Sequence, residues 1–212
     1  MILVIAADIG YNHGSVADER GTMLGNGDVY MELKNFEGIL ERVPEMPRPM
    51  RVILAGSDGE NMLRGIFAAQ EKGLAQPVLV GDRARTITVL ERFGLEREPY
   101  TMVDVPPGHN ITQAAIDIVN SGDGDVLMRG NIPTRDFLMP VLDKSNHLRT
   151  ERLMSHVSLA SLPEYPKLLA MSDMTIIIKP NMTQKKEIIR NMADALQAFG
   201  YEKPKFALLS LV

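Results

Sequence analysis

The sequence predicts an α/β fold around a mostly parallel sheet. From Arg51 onward, short β-branched or aliphatic runs alternate with segments of helical spacing, which is typical of βαβ units. Glycine, asparagine or aspartate stands at most of the junctions, as expected for caps and turns. With 45% hydrophobic and 24% charged residues, the 212-residue chain has the composition of an ordinary globular protein.

The first predicted unit starts with a buried strand, RVILAG, at residues 51–56. Ser57 or Asp58 is expected to cap the following helix, with Glu60 three residues after Ser57 as in a capping box. The apolar residues of this helix recur at three- and four-residue steps, and Gly73 predicts its end.

The pattern then repeats. PVLV (77–80) predicts a second strand, and the helix after it is expected to close near Gly94. YTMVDV (100–105) predicts a third strand, Asn110 a helix cap, and DVLMRG (125–130) a fourth strand.

Later elements are less evenly spaced. Strands are predicted at LMSHVSL (153–159), TIIIK (175–179) and FALLSLV (206–212). Between the last two, a helix is predicted to start at Thr183 and stop at Gly200.

The two ends of the chain differ from this pattern. Residues 1–30 are rich in Gly, Asp and Asn and are predicted to be an atypical extension, whose first apolar run is either a strand or irregular; a helical pattern begins at Met31. At the other end the sequence stops inside an apolar run at Val212, which predicts truncation because a parallel strand normally leads into a loop and helix.

Composition excludes several classes of function. The chain has no cysteine, so thiolate metal sites and disulfides are excluded, and a cytoplasmic location is expected. The opening run lacks the basic start of a leader, carries Asp8, and is much too short to span a bilayer. A net charge of -4 argues against nucleic-acid binding by bulk charge. The histidines lack ligand-like spacing, so no metal site is predicted, and the glycine-rich fingerprints of dehydrogenases and kinases are absent.

The segment LMRGNIPTRD carries the first candidate site. A strand ending at Arg129 and Gly130, with Thr134 at a predicted helix start, would place backbone N–H groups and a hydroxyl around an anion. Two alternatives stay open on the residues alone, because Thr134 could be merely an N-cap and Gly130 merely a turn.

Three ordered stretches resemble the phosphate acetyl/butyryltransferase family, closer to its butyryl branch. They are residues 51–82, containing GLAQPVLVGD; residues 125–143, DVLMRGNIPTRDFLMPVLD; and residues 148–210, containing LRTERLMSHV, a segment similar to the family pattern "Y-K-L---D--INI-P-L--K--I--NA", and PKFALLS. Together they cover about residues 31–212, so the resemblance is far more specific than any single motif.

The resemblance implies a fold and a reaction. It implies two three-layer lobes of the isocitrate/isopropylmalate dehydrogenase type, the first over residues 31–145 and the second, incomplete, over residues 146–212, with the active site in the cleft between them. It also implies acyl transfer between coenzyme A and inorganic phosphate, with coenzyme A as a substrate and no permanently bound cofactor. We expect small-molecule substrates, no nucleic acid or membrane partner, and a homo-oligomer.

The resemblance also assigns site residues. Ser155, in the position of the family's "SHV" serine, is expected to be catalytic as a hydrogen-bond donor to the acyl phosphate, and His156 is expected to bind substrate. Arg129, Gly130 and Thr134 fall in the family's phosphate segment. Met139 replaces the family arginine there, so either Arg135, one helical turn earlier, substitutes for it or phosphate affinity is lost.

The family's serine, arginine and aspartate that act on coenzyme A lie beyond Val212, so this chain is expected to show little transferase activity if it ends there. The alternative is a non-catalytic module that binds coenzyme A or acyl phosphate, or that oligomerises through an open sheet edge.

Overall fold

The computed structural model describes the chain at residues 4–6, 35–41, 48–95, 98–199, 201 and 203–209. These residues fall into two compact units. The first unit holds residues 4–6 and 48–150, and the second holds residues 35–41 and those from Glu151 onward.

The first unit is built on a five-stranded sheet. Its strands are β1 (Val4–Ala6), β2 (Met50–Ala55), β3 (Ala75–Gly81), β4 (Thr101–Asp104) and β5 (Val126–Arg129). They lie in the order β1-β5-β2-β3-β4, with β2 to β5 parallel and β1 antiparallel to β5. The predicted α/β class, with a mostly parallel sheet, is therefore confirmed for this unit.

Helices connect these strands. The helices, numbered along the whole chain after α1 (Phe36–Glu41) of the second unit, are α2 (Glu60–Glu71), α3 (Arg83–Phe93), α4 (Ile111–Asn120) and α5 (Thr134–Leu142), followed by a 3-10 turn at Lys144–Asn146. Only residues 36–41 of the helix predicted from Met31 are described as helical; residues 31–34 and 42–47 lie outside the described part of the chain.

The core forms where helices cover the sheet. Leu54, Leu79 and Met128 point from the strands into a cluster of buried side chains supplied mainly by α2 and α3. The order of the strands reverses between β4 and β5, so a right-handed crossover places α4 on the opposite face of the sheet. There α4 contacts β2, β3 and β5, and its Ile116 is buried. The sheet is thus covered on both faces.

Most of the predicted caps are confirmed. The Asn110 side chain accepts a hydrogen bond from the N–H of Gln113 at 3.1 Å, and Gly94 ends α3 in the left-handed conformation at φ 60°. The predicted capping by Ser57 or Asp58 is wrong, because α2 begins at Glu60 and no side chain caps it.

Ser57 has a different partner. The Thr86 hydroxyl donates to the carbonyl of Asp82 at 2.9 Å, so at the 2.9 Å contact between Thr86 Oγ1 and Ser57 Oγ the serine must be the donor. Both side chains are fully buried. Ser57 therefore ties the end of β2 to the start of α3 instead of capping α2.

A buried carboxylate closes the amino edge of the sheet. Asp125, whose side chain is 6% exposed, accepts hydrogen bonds from Arg48 at 2.6 and 3.0 Å. It also accepts from the backbone and the guanidinium of Arg51 at 2.8 to 3.2 Å. The bonds from Arg48 and then those from Arg51 hold the pKa of Asp125 far below its usual range. Asp125 therefore joins the starts of β2 and β5.

The second unit contains a small antiparallel sheet and a long helix. The strands are β6 (Ser158–Ala160) and β7 (Leu169–Met171), and the helix is α6 (Met182–Ala198), capped reciprocally by Asn181 and Gln184. The predicted helix is confirmed, although it starts at Met182 and not at Thr183; Gly200, its predicted stop, lies outside the described residues.

Three strand predictions in this unit are wrong in whole or in part. TIIIK is not a strand, because Asp173 accepts the N–H groups of Thr175 and Ile176 and turns the chain where the strand should begin. Only the end of LMSHVSL is extended, as β6, since the N–H of His156 bonds to the Asp173 side chain and not to a ladder. Within FALLSLV, residues 206–209 form no strand and residues 210–212 are not described.

Among the described residues, no helix is long and apolar enough to cross a membrane.

We predict that Asp125→Asn lowers the free energy of unfolding by about 2–3 kcal/mol at pH 7, because two guanidinium groups lose their carboxylate. The Asp125 pKa is lowered by folding, so its contribution is complete above the unfolded pKa of about 3.9 and is lost as the pH falls below it. Urea unfolding from pH 7 to pH 3 would measure both effects. Asp123→Asn is the control: Asp123 is 76% exposed and 3.8 Å from Arg51, so it should change stability by less than about 0.5 kcal/mol, and an equal loss in both variants would contradict the prediction.

Candidate functional site

The strand order reverses between β2 and β5, the position at which open α/β sheets form a crevice at their carboxyl edge. The chain leaves β2 toward β3 and β4 and returns on the other side at β5, so the segments after β2 and β5 diverge at the carboxyl edge of the sheet. Ligands of open α/β sheets bind at such a reversal. Of the predicted anion-binding residues, Arg129 ends β5 at this position, and Gly130 and Thr134 follow it.

Backbone contacts hold the floor of the crevice. The N–H of Gly130 donates to the carbonyl of Ala55, and the N–H of Asn131 donates to that of Gly56, both at 2.8 Å. A Cβ atom on Gly130 would overlap the Gly56 carbonyl oxygen and lie 2.9 Å from that of Ala55. Gly130 is therefore required for close approach of two backbones and is more than a turn residue. Its N–H group is already bonded, so an anion must use other donors.

Gly56 is needed for the same approach. It has φ +83°, and an added Cβ would lie 2.5 Å from Ile132 Cγ1. From the sequence, Gly56 is predicted only to end a strand. Gly56 comes directly after β2, just as Gly130 comes directly after β5. This equivalent placement was the signal in the sequence that both glycines share a role.

Arg129 braces the loop that follows it. Its guanidinium donates to the carbonyl of Ile132 at 2.5 Å, and the residue is half-buried. This contact fixes the β5–α5 loop. Arg129 thus lies at the predicted site, and at least one of its N–H groups is used in a hydrogen bond to the protein's own backbone.

The two helices beside the crevice begin without side-chain caps. The N-cap of α2 is Gly59 and that of α5 is Pro133, and neither makes a side-chain cap bond, whereas Asp82 and Asn110 cap α3 and α4. The alternative that Thr134 is only an N-cap is wrong, since it is the first residue of α5 and is exposed. The first-turn N–H groups of α2 and α5 thus lack the side-chain acceptor that α3 and α4 have, which suits an anionic ligand.

A cleft of about 400 Å³ adjoins this loop within the first unit. It lies between the start of α4 and the outer face of α5 and is lined by His109, Asn110, Ile111, Thr112, Ile132, Asp136, Met139 and Pro140. Met139, which stands where the resembled family has arginine, is 61% exposed here. Arg135 is exposed one turn earlier on the same helix.

Ser155 and His156 belong to the second unit. Ser155 is half-buried, and its hydroxyl oxygen accepts a hydrogen bond from Asn191 Nδ2 on α6 at 2.9 Å. His156 is 7% exposed, and its Nδ1 atom has no hydrogen-bond partner among the described residues. Neither residue lies on a strand, although both fall within the predicted strand LMSHVSL.

Sequence reasoning missed two residues that organise this region. Asp173 accepts three backbone N–H groups, and Asn191 links α6 to the segment around Ser155. Both occupy lettered positions of the family pattern quoted above, which was the available signal. In the part of the chain that the structure describes, no three His, Asp or Glu side chains group so as to hold a metal ion.

Comparison with known sequences decides the family. Residues 106–212 match the family described as phosphate acetyl/butaryl transferase. This chain belongs to that family. It is 33% identical over 174 residues to phosphate butyryltransferase of Clostridium beijerinckii and 32% identical over 164 residues to phosphate acetyltransferase of Rhizobium meliloti, covering 82% and 77% of this chain and 57% and 52% of those proteins. The chain thus spans little more than half the length of these family members.

Solved structures that resemble this chain in fold are named as phosphotransacylases. A branched-chain phosphotransacylase from Enterococcus faecalis V583 matches with a TM-score of 0.59 and 21% identity, covering 73% of this chain and 54% of that one. A phosphotransacetylase from Streptococcus pyogenes matches with a TM-score of 0.63 and 17% identity, covering 79% and 59%. At these identities the likeness shows the fold.

We predict that Gly130→Ala lowers the free energy of unfolding by about 3 kcal/mol, because its Cβ meets backbone that cannot move aside cheaply. Gly65→Ala is a matched control. Gly65 lies within α2 with open space around it, so alanine should raise stability by about 0.5–1 kcal/mol. Chemical denaturation of both variants would measure the difference, and similar stability of the two would show that the crevice floor is not close-packed.

Proposed function

We propose that this chain carries groups for acyl transfer between coenzyme A and inorganic phosphate, with an acetyl- or butyryl-type acyl group. The observation that carries the proposal is the β2–β5 crevice, flanked by two helices without side-chain caps, in a member of the phosphate acetyl/butaryl transferase family. The acyl chain length is left open between the acetyl and butyryl types.

The chemistry places simple demands on the protein. The coenzyme A thiol gives its proton to a general base, and the thiolate attacks the carbonyl carbon of the acyl phosphate. The carbon–sulfur bond forms, the carbon–oxygen bond breaks, and phosphate leaves with the bonding electron pair. The phosphate must be bound by cationic or N–H donors, and the oxygen that gains charge in the transition state needs a hydrogen-bond donor. The two substrates carry all the reacting groups, so the proposal includes no permanently bound cofactor.

We assign these tasks to the predicted site residues. Thr134 and Arg135, both exposed in the first turn of α5, are proposed to bind phosphate with the N–H groups of that turn, and Arg129 and Gly130 hold the loop in place. Arg135 is favoured over Met139 because a thioether does not donate to an anion.

In the second unit, Ser155 is proposed as the donor to the acyl phosphate. His156 is proposed to contribute its unpaired Nδ1 to substrate binding, directly or through water.

The larger organisation is also a proposal. Four predictions remain untested: two isocitrate/isopropylmalate dehydrogenase-like lobes over residues 31–145 and 146–212, an atypical extension over residues 1–30, a homo-oligomer, and a cytoplasmic location. They rest on the family resemblance and on the composition of the chain.

A second candidate function is a non-catalytic interaction module. It is favoured by apolar side chains of the second unit that are open to solvent, among them Ile178 at 86%, Leu208 at 75% and Leu209 at 94% exposed. Phosphate-dependent release of thiol from acetyl- or butyryl-coenzyme A would support the transferase. Binding of both ligands without thiol release, with self-association on a sizing column, would support the module.

We predict that Arg135→Met weakens the binding of inorganic phosphate by about tenfold, because it removes one charge-assisted donor. Isothermal titration calorimetry with phosphate would measure the change. Arg85→Met is the control: Arg85 also lies in the first turn of a helix, but Asp82 caps that helix and lies 3.6 Å from the Arg85 guanidinium, so its loss should leave phosphate affinity unchanged. Equal affinity of the Arg135 variant and the parent chain would rule out Arg135 as the phosphate ligand.

A further inference from the structure

Asn191 on α6 is bonded to three neighbours through its side-chain amide. Its Nδ2 atom donates to the carbonyl of Leu153 at 2.7 Å and to Ser155 Oγ at 2.9 Å, while its Oδ1 atom accepts from the Arg152 guanidinium at 2.8 Å. Arg152 is itself paired with Asp194, one turn further along α6, at 2.7 Å. All of these residues belong to the second unit.

These partners fix which end of the amide faces Ser155. A guanidinium can only donate and a backbone carbonyl can only accept, so Oδ1 must face Arg152 and Nδ2 must face Leu153. The reversed amide would place two donors together at Arg152 and two acceptors together at Leu153. The orientation of Asn191 is therefore set independently of Ser155.

This orientation determines the direction of the hydrogen bond to the serine. Because Nδ2 has no lone pair to offer, the Ser155 hydroxyl must accept from Asn191, and its own hydrogen is not used in this bond. Among the residues that the structure describes, Ser155 Oγ has no other hydrogen-bond partner. The hydroxyl hydrogen of Ser155 is thus left for a hydrogen bond to a ligand.

We propose that Asn191 is a positioning residue that keeps the Ser155 hydroxyl directed as a hydrogen-bond donor to the phosphoryl oxygens of the substrate. The inference rests on the proposed function, because it takes Ser155 as the group that meets the acyl phosphate. It adds how the protein sets the polarity of that hydroxyl. A carboxylate at position 191 would reverse it, since the serine would then donate to residue 191 and present only lone pairs to an anion.

The test is phosphate and acetyl phosphate binding by the 212-residue chain, measured by isothermal titration calorimetry. Asn191→Asp should weaken binding of both ligands by about tenfold, the loss expected for one hydrogen bond to a charged group. Ser155→Ala should weaken it by a similar factor, and Ser155→Thr, which keeps the hydroxyl, should restore most of the affinity. In the Ser155→Ala background, Asn191→Asp should have no further effect, because no hydroxyl remains to be reversed.

Asn120→Asp is the matched control. Asn120 on α4 also donates through Nδ2 to a backbone carbonyl, that of Asn146, at 2.9 Å, so it reports the general cost of this substitution. Circular dichroism would check folding of every variant. If Asn191→Asp fails to fold, Asn191→Ala takes its place, with an expected loss of about threefold that again disappears in the Ser155→Ala background.

The outcomes separate this inference from the proposed function. Phosphate binding by the parent chain that Asn191→Asp leaves unchanged, or weakens equally with and without Ser155, would overturn the positioning role and leave the proposed function standing. A parent chain that binds neither phosphate nor acetyl phosphate would overturn both.

Discussion

The close approach of two backbones at Gly56 and Gly130 is the constraint on which the first unit depends. Hydrogen bonds from Gly130 and Asn131 to the carbonyls after β2 draw the two diverging segments together at the reversal of the sheet. This contact leaves no room for a Cβ on Gly130, and it brings the starts of α2 and α5 to one place. The position of every candidate anion donor in the first unit follows from it.

The elements with strong local signals could be predicted from the sequence. β2 to β5 are runs of apolar residues bounded by polar caps or glycine, and Asn110 and Gly94 act locally, within one turn of the helices they delimit. In two of the failures, a side chain makes a hydrogen bond that the predicted element does not include. Asp173 takes the N–H groups that TIIIK needs for a ladder, and Ser57 bonds to Thr86, 29 residues away, in place of its own helix.

The candidate site was predictable in part for the same reason. The segment from Arg129 to Thr134 could be located because it begins at the end of a strand with a strong signal. That the Gly130 N–H is already bonded depends on a tertiary contact with Ala55, which spacing does not contain. The bond from Arg129 to Ile132 is local, but it depends on the conformation of the loop between them. Asn191 occupied a visible pattern position, but its role requires knowing that Arg152 and Leu153 lie on either side of its amide.

The carboxylate of Asp125 has a practical consequence. It joins β2 and β5 at their amino ends, whereas the crevice opens at their carboxyl ends, so the attachment that holds the strands and the surface offered to ligands are about one strand length apart. Substitutions that raise resistance to heat or acid can therefore be sought at the first edge, and substitutions that change ligand binding at the second. A protein engineer could therefore vary the residues of the two edges in separate sets of substitutions.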